Sequence, residues 1–436
     1  MKKNLLGIAI LLLFGLVGQA QTQDLENLLF ELPDVRFEQL ESPDASKLVY
    51  LLRIKQPIDH SDPGKGFFYQ RAFLTHVGFD RPTVMATEGY DRSRNRPYEL
   101  SLLLEANQID IEHRYFGESV PDSMDYQYLN LKQATADLHH INQLFRQIYT
   151  GKWVSTGISK GGSTTIYYRY YYPDDVDVSV PYVAPINIAF EEPRIYQFLD
   201  TIGSDECRAA ILAFQRRILQ NRVEVLPLLH FYSLGAGLHF TYLSEEEAFE
   251  YAVLEYPFSF WQYGQDCAGI PDESVPLQEA LEYLIGVSGV DFFSDGPIKY
   301  YGSHYYQSAT EMGYYGYETD DFKDLLQALP LSPHPYAAFM PDKMPIEFDG
   351  TLLRDVNKWI KKEGNHFIYI NGAIDTWSAS AVPPTAGLDA VWFFLEGKHH
   401  ASARIQNMTP EEQQKLITTL EKWLSMDIDE SLLNKK

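Results

Sequence analysis

The chain is poor in cysteine: Cys207 and Cys267 are the only two in 436 residues. Neither has a His or a second Cys at ligand spacing, which argues against a zinc site or a thiol nucleophile. Positive charge is also scarce, since 36 Lys and Arg face 60 Asp and Glu for a formal charge of −24. Such a surface repels a phosphate backbone, so nucleic acid is not an expected partner. No long uncharged apolar run follows the first 20 residues, so no stable membrane insertion is expected. Internal repeats and low-complexity tracts are missing too. What is present is a globular composition, with 45% hydrophobic, 22% charged and 14% aromatic residues, 30 of them Tyr. A chain this apolar can bury a core, which excludes general disorder.

The N-terminus reads as a targeting segment. Lys2 and Lys3 precede an apolar run from Leu5 to Val17, and Gly18 and Ala20 occupy the −3 and −1 positions of a small-residue cleavage site. Residues 1–20 are therefore expected to be a signal peptide, sending the protein to a periplasm or out of the cell. In such a compartment Cys207 and Cys267 are expected to pair, with two buried free thiols as the alternative. Closing that loop stabilises by about 4 kcal/mol in the chain-entropy view.

Residues 21–45 are polar and mixed, and read as a lead-in arm. Leu48–Ile54 and Phe67–Thr75 flank a turn at Asp62-Pro63-Gly64-Lys65-Gly66 and read as a strand pair. Strand patterns follow at Thr83–Thr87, Gln108–Glu112, Trp153–Thr156 and Val178–Val183. They alternate with helical patterns at Leu100–Ala106, Leu131–Tyr149 and from Gly162 to Tyr172. That rhythm predicts a parallel sheet covered on both faces. Between residues 186 and 344 the pattern turns mostly helical, as at Glu206–Leu219, Ser244–Tyr256 and Leu277–Ile285, and this section holds both cysteines. Strands resume at Phe367–Asn371 and Ala390–Leu395. A last helix has Thr409 as cap, Pro410 at its first position and Glu412 to close a capping box. The expected organisation is an α/β domain over 21–185 and 345–436, split by a helical cap over 186–344.

The strongest chemical signal is Gly157-Ile158-Ser159-Lys160-Gly161, a G-x-S-x-G pentapeptide with a strand before it and a helix after it. The turn lifts a serine hydroxyl above the sheet and aims the Lys160 N–H at a developing oxyanion. A Ser–Lys dyad is disfavoured, because the side chain after the nucleophile points away from it in such an elbow. A neutral serine needs a base held by an acid, in the chain order Ser, acid, His. Asp375, in the loop after Phe367–Asn371, fits the acid. His399 or His400 follows the next strand and fits the base, with His399 preferred. His139-His140 sits on a helix where adjacent residues face apart, so no metal site is expected. His113 leaves a strand at the same sheet end, in a segment where Arg114 and Glu118 are expected to pair.

Several segments resemble the secreted bacterial prolyl tri/tetrapeptidyl aminopeptidases: Thr87–Tyr90, Leu129–Leu131 with Gln133–Thr135, Trp153–Gly162, Tyr182–Pro185 and Gly313–Tyr317. Glu112–Ser119 and Asn371–Val382 with Gly397–His400 are similar to the related prolyl carboxypeptidase and dipeptidyl-peptidase 2 group. The resemblance covers most of the mature chain, with departures at Thr376, Lys398 and the doubled His. It implies an α/β-hydrolase with a helical cap, a Ser159-Asp375-His399 triad and no cofactor. It also implies an exopeptidase that removes short peptides, expected to be tripeptides, from a free N-terminus after proline. On that reading oxyanion donors are Lys160 and either Gly89 or Tyr90, Glu88 holds the substrate ammonium, and Trp377 walls the pocket. A carboxylesterase or lipase of the same fold, and an inactive hydrolase scaffold that only binds, are the competing expectations.

Overall fold

A computed structural model describes residues 23–331 and 338–434. The segment read as a signal peptide lies outside the described residues. A nine-stranded sheet runs in the order β1-β2-β3-β5-β4-β6-β7-β8-β9. Its strands are β1 Val35–Leu40, β2 Leu48–Pro57, β3 Phe67–His76, β4 Thr83–Thr87, β5 Asn107–Ile111, β6 Trp153–Ile158, β7 Val178–Tyr182, β8 Ile368–Gly372 and β9 Val391–Leu395. Pairing is antiparallel from β1 to β3 and between β3 and β5, and parallel from β5 to β9. The residues 21–45 are thus not all an arm. A helix α1 covers 23–31, and β1 is an edge strand whose charged residues face solvent.

The parallel strands read as nearly continuous apolar runs because both of their faces are covered. β4, β5, β7 and β8 are buried at every position. Neighbouring residues go to opposite layers, with period 2. Val84 and Val154 join the layer of α2 (Glu99–Leu103) and a C-terminal helix, Pro410–Leu424. Met85 and Trp153 join the layer of α1 and α3 (Leu131–Phe145). The C-terminal helix starts as its signals require: Thr409 and Glu412 complete both halves of the capping box.

Between β7 and β8 the described chain forms helices and loops but no strand. They include α4 Pro193–Leu199, α5 Asp205–Gln220, α6 Arg222–Ala236, α7 Glu245–Gln262 and α8 Leu277–Ser288. These helices have their own apolar core, separate from the two sheet layers, built on Phe214, Ile218, Leu229, Phe249, Tyr256 and Leu284. Ser204 caps α5, and Ser244 with Glu247 forms a capping box on α7. A Cys207–Cys267 disulfide ties α5 to the segment after α7, with Cα atoms 5.4 Å apart. Helix Thr351–Glu363 then returns the chain to the sheet. No helix among the described residues is long and apolar enough to cross a membrane.

Candidate active site

β6 ends at Ile158 and the next helix, Lys160–Tyr171, begins one residue later, so Ser159 makes the turn alone. It does so at φ 58° and ψ −127°, a conformation that costs a non-glycine residue about 1–3 kcal/mol. The neighbours must be glycine. A Cβ on Gly157 would lie 2.2 Å from the Gly161 carbonyl oxygen, and one on Gly161 would lie 2.7 Å from that of Thr87. The Ser159 N–H donates to Tyr182 O at 2.9 Å, and Thr87 Oγ1 donates to Gly161 O at 3.0 Å. The turn is thus fixed to β7 on one side and to β4 on the other. The first N–H groups of the helix that follows have no intrahelical acceptor, and its dipole presents positive charge beside Ser159.

β8 and β9 end at the same carboxyl edge, where open parallel sheets hold their ligands. The loops that leave them cross closely. A Cβ on Gly372 would sit 2.3 Å from Lys398 O, and the Ile374 N–H donates to that oxygen at 3.2 Å. This contact lays the histidine loop over the loop of Asp375. Asp375 is fully buried; its Oδ1 accepts the Trp377 N–H at 3.1 Å. Its Oδ2 meets Nδ1 of His400 at 2.8 Å. The sequence preference for His399 is therefore corrected, since His400 is the histidine joined to Asp375. The His399 ring instead packs on Gly264 in the loop after α7, where a Cβ would come within 2.7 Å of it. Its Nδ1 is buried without a partner, and burial lowers its pKa.

The other site residues divide. Lys160 is buried, and its ammonium donates to Gly89 O at 2.6 Å and to Gln307 Oε1 at 2.8 Å, over the rings of Tyr90 and Phe116. Burial lowers its pKa to about 7. Those two bonds commit the ammonium to the β4 loop and to helix Gly302–Gln307, away from a dyad with Ser159. Gly89 abuts the elbow so closely that a Cβ would lie 2.6 Å from that of Lys160. Tyr90 and Trp377 line a cavity of about 580 Å³ that also includes Ser159. Glu88 does not fit its expected role. Its carboxylate pairs with Arg92 and accepts from Tyr98 Oη, so it is already engaged within the fold. Arg114 and Glu118 are not partners either. Arg114 holds Asp137 with both carboxylate oxygens at 2.7 Å, and Glu118 bonds Arg53 and Arg71. His139 meets Asp175 and His140 meets Gln56. His113 is buried with Nδ1 against Arg114 O, and burial takes its pKa well below the usual range.

Sequence reasoning missed two cavity residues. His304 lines the cavity, and burial holds its pKa well below the ordinary value. Glu255 lies on α7 and lines the same cavity while only 5% exposed. The signal for it was a lone acid inside the apolar and aromatic run Ala252–Trp261. A narrower pocket opens behind Ser159, walled by Trp377, Tyr314, Met312, Tyr167 and Pro185. Trp377 meets Phe258 edge-on at 5.1 Å and Tyr314 at 5.3 Å.

With this geometry in view, comparison with known proteins finds that the PS-10 peptidase S37 family profile matches residues 19–429. A prolyl tri/tetrapeptidyl aminopeptidase of Streptomyces mobaraensis is 30% identical over 412 residues, 93% of this chain and 86% of that protein. A putative serine protease of Caenorhabditis elegans is 34% identical over 168 residues, 34% of this chain and 31% of that one. Among solved structures, proline iminopeptidase of Mycobacterium smegmatis is similar with a TM-score of 0.43 at 12% identity, covering 86% of this chain and 99% of that one.

Proposed function

Since the chain belongs to the PS-10 peptidase S37 family and is a serine peptidase, we propose that it is an exported exopeptidase that removes short peptides, tripeptides first among them, after proline from free N-termini. The observation that carries the mechanism is the Asp375–His400 hydrogen bond, made in loops that leave the same carboxyl edge of the sheet as the strained Ser159 turn. A carboxylate only accepts, so the shared proton sits on Nδ1 of His400 and leaves Nε2 as the basic nitrogen. Ser159 Oγ attacks the carbonyl carbon of the scissile bond, and His400 takes its proton. The carbonyl oxygen becomes an oxyanion and is met by the Lys160 N–H and by one from Gly89 or Tyr90. The tetrahedral species collapses, the C–N bond breaks, and His400 protonates the departing amine. Water then attacks the acyl-enzyme, gives its proton to His400 and releases the peptide acid with a regenerated serine.

Specificity follows from the surroundings. The Tyr- and Trp-lined cavity of about 580 Å³ that includes Ser159 has room for a rigid proline ring, which loses little entropy on binding. The helices over the cavity exclude long folded chains. The Tyr-rich, acidic lining favours a peptide over an acyl chain, which sets the esterase reading second. Export is supported by the disulfide and by the N-terminal pattern of the sequence.

The test is release of a chromogenic amine from Xaa-Xaa-Pro substrates with free or acetylated N-termini, beside an acyl ester and the Ser159→Ala variant. Cleavage of the free-amine peptides alone, abolished in the variant, is expected. Ester turnover without peptide cleavage would replace this reading with the esterase.

A further inference from the structure

We infer that Glu255, on the cap helix α7, is the acceptor for the α-ammonium of the substrate. This inference rests on the exopeptidase reading and deepens it.

The first observation is a missing cation. Among the described residues the other buried carboxylates each face a guanidinium or an imidazole. Arg92, Arg71, Arg114, Arg194 and Arg222 pair with Asp110, Glu112, Asp137, Glu192 and Glu250. His139 and His400 pair with Asp175 and Asp375. Glu255 is the exception. Its partners are three neutral hydroxyls: Ser259 donates to Oε1 at 2.7 Å, and Tyr315 and Tyr317 donate to Oε2 at 2.9 and 2.8 Å. A carboxylate offers about four lone-pair directions. Three are taken, and one on Oε1 remains.

The second observation is location. Glu255 borders the cavity that contains Ser159, Tyr90 and Trp377, so a ligand acylating the serine can reach it. Burying a carboxylate with no counter-charge is costly, and here burial raises its pKa to about 7. A peptide α-amine titrates near 8 and brings the absent positive charge with its own three donors. Binding it would ionise the acid and fill the open acceptor. The Tyr315 and Tyr317 hydroxyls fix the carboxylate in the cavity wall, and its separation from Ser159 would set how many residues precede the cleaved bond. Glu88 already has the Arg92 guanidinium against it, shared with Asp110.

The test does not depend on turnover. Ala-Ala-Pro with a free amine, and its N-acetyl copy, protect Ser159 from a small fluorophosphonate label, and the concentration for half protection is read for each. In Glu255→Gln, protection by the free-amine peptide is expected to weaken at least about 30-fold, the lower end of what removing one member of a buried charge pair does. Protection by the acetylated copy is expected to stay as it was. An unchanged ratio between the two peptides overturns the inference. If Glu255→Gln does not fold and label, Glu255→Asp keeps the charge but withdraws it, and should weaken the free-amine peptide alone; equal weakening of both overturns it. Failure of the unsubstituted protein to turn over an Ala-Ala-Pro chromogenic amide, with free-amine protection intact, sinks the exopeptidase reading and leaves the ammonium site standing.

Discussion

Replacing each member of the histidine pair in turn separates the two loop geometries. His400 Nδ1 lies 2.8 Å from a fully buried Asp375 oxygen, so its tautomer and ring plane are fixed. His400→Gln removes the proposed base and leaves that carboxylate without the imidazole it bonds. In triads of this type the loss is about 10⁴-fold or more in kcat, which at 1.36 kcal/mol per decade is above about 5 kcal/mol of transition-state stabilisation. His399 makes no bond through its ring in the structure. Its Nδ1 is buried and unpartnered, its ring rests on Gly264, and its N–H to Ser402 Oγ is a backbone bond that survives substitution. His399→Gln should therefore lose only packing against the cap loop, about 1 kcal/mol, and keep kcat within about tenfold. The assay is turnover of a chromogenic Xaa-Xaa-Pro amide together with the rate of fluorophosphonate labelling, which reports the acylation half-reaction without product release. Asp375→Asn adds a second arm. Its amide would present a donor to Nδ1, favour the wrong tautomer and cost a similar 10⁴-fold. Loss of four decades in His399→Gln, with His400→Gln near the parent, would refute the assignment and the argument from the Asp375 bond.

Two further perturbations probe the surroundings. Lys160→Met takes the donor from Gly89 O and Gln307 Oε1, two buried acceptors, and each should cost about 1–3 kcal/mol; because Gly89 belongs to the loop that supplies the second oxyanion donor, kcat should fall by about 10- to 100-fold with a smaller change in KM, and an unaltered kcat would show that the clamp does not position that loop. The raised pKa of Glu255, from 4.5 to about 7, means that folding binds its proton; this contribution is complete below pH 4.5 and is lost as pH rises through 7, a difference of about 3 kcal/mol at most, so thermal scans from pH 5 to 8 should lower the melting temperature of the parent relative to Glu255→Gln, and parallel curves would contradict the burial argument.

What the sequence makes legible is what the backbone imposes locally. The parallel strands announce themselves because burial on both faces demands apolar runs, and the elbow because Gly157 and Gly161 are the only residues its crossings tolerate. The C-terminal helix is legible through its cap for the same reason. β1 escaped because an edge strand keeps its charges, and Arg36 and Glu38 read as loop. The errors inside the site are of another kind, and they share one cause. Arg114 went to Asp137 rather than Glu118, Glu88 went to Arg92 rather than to a ligand, and Asp375 went to His400 rather than His399. In each, the partner was decided by tertiary packing rather than by nearness in sequence. For the histidines the decision lies in the cap: His400 N–H donates to Gln262 O at 3.1 Å, and His399 fills the space over Gly264. Two residues of the inserted helix and loop thus select which of two adjacent imidazoles faces the acid. Since the same helix carries Glu255, the insertion does more than cover the sheet: its last residue, Gln262, holds the His400 backbone, and Glu255 borders the cavity that includes Ser159. A cap loop altered at Gly264 should accordingly disturb kcat before it disturbs the sheet.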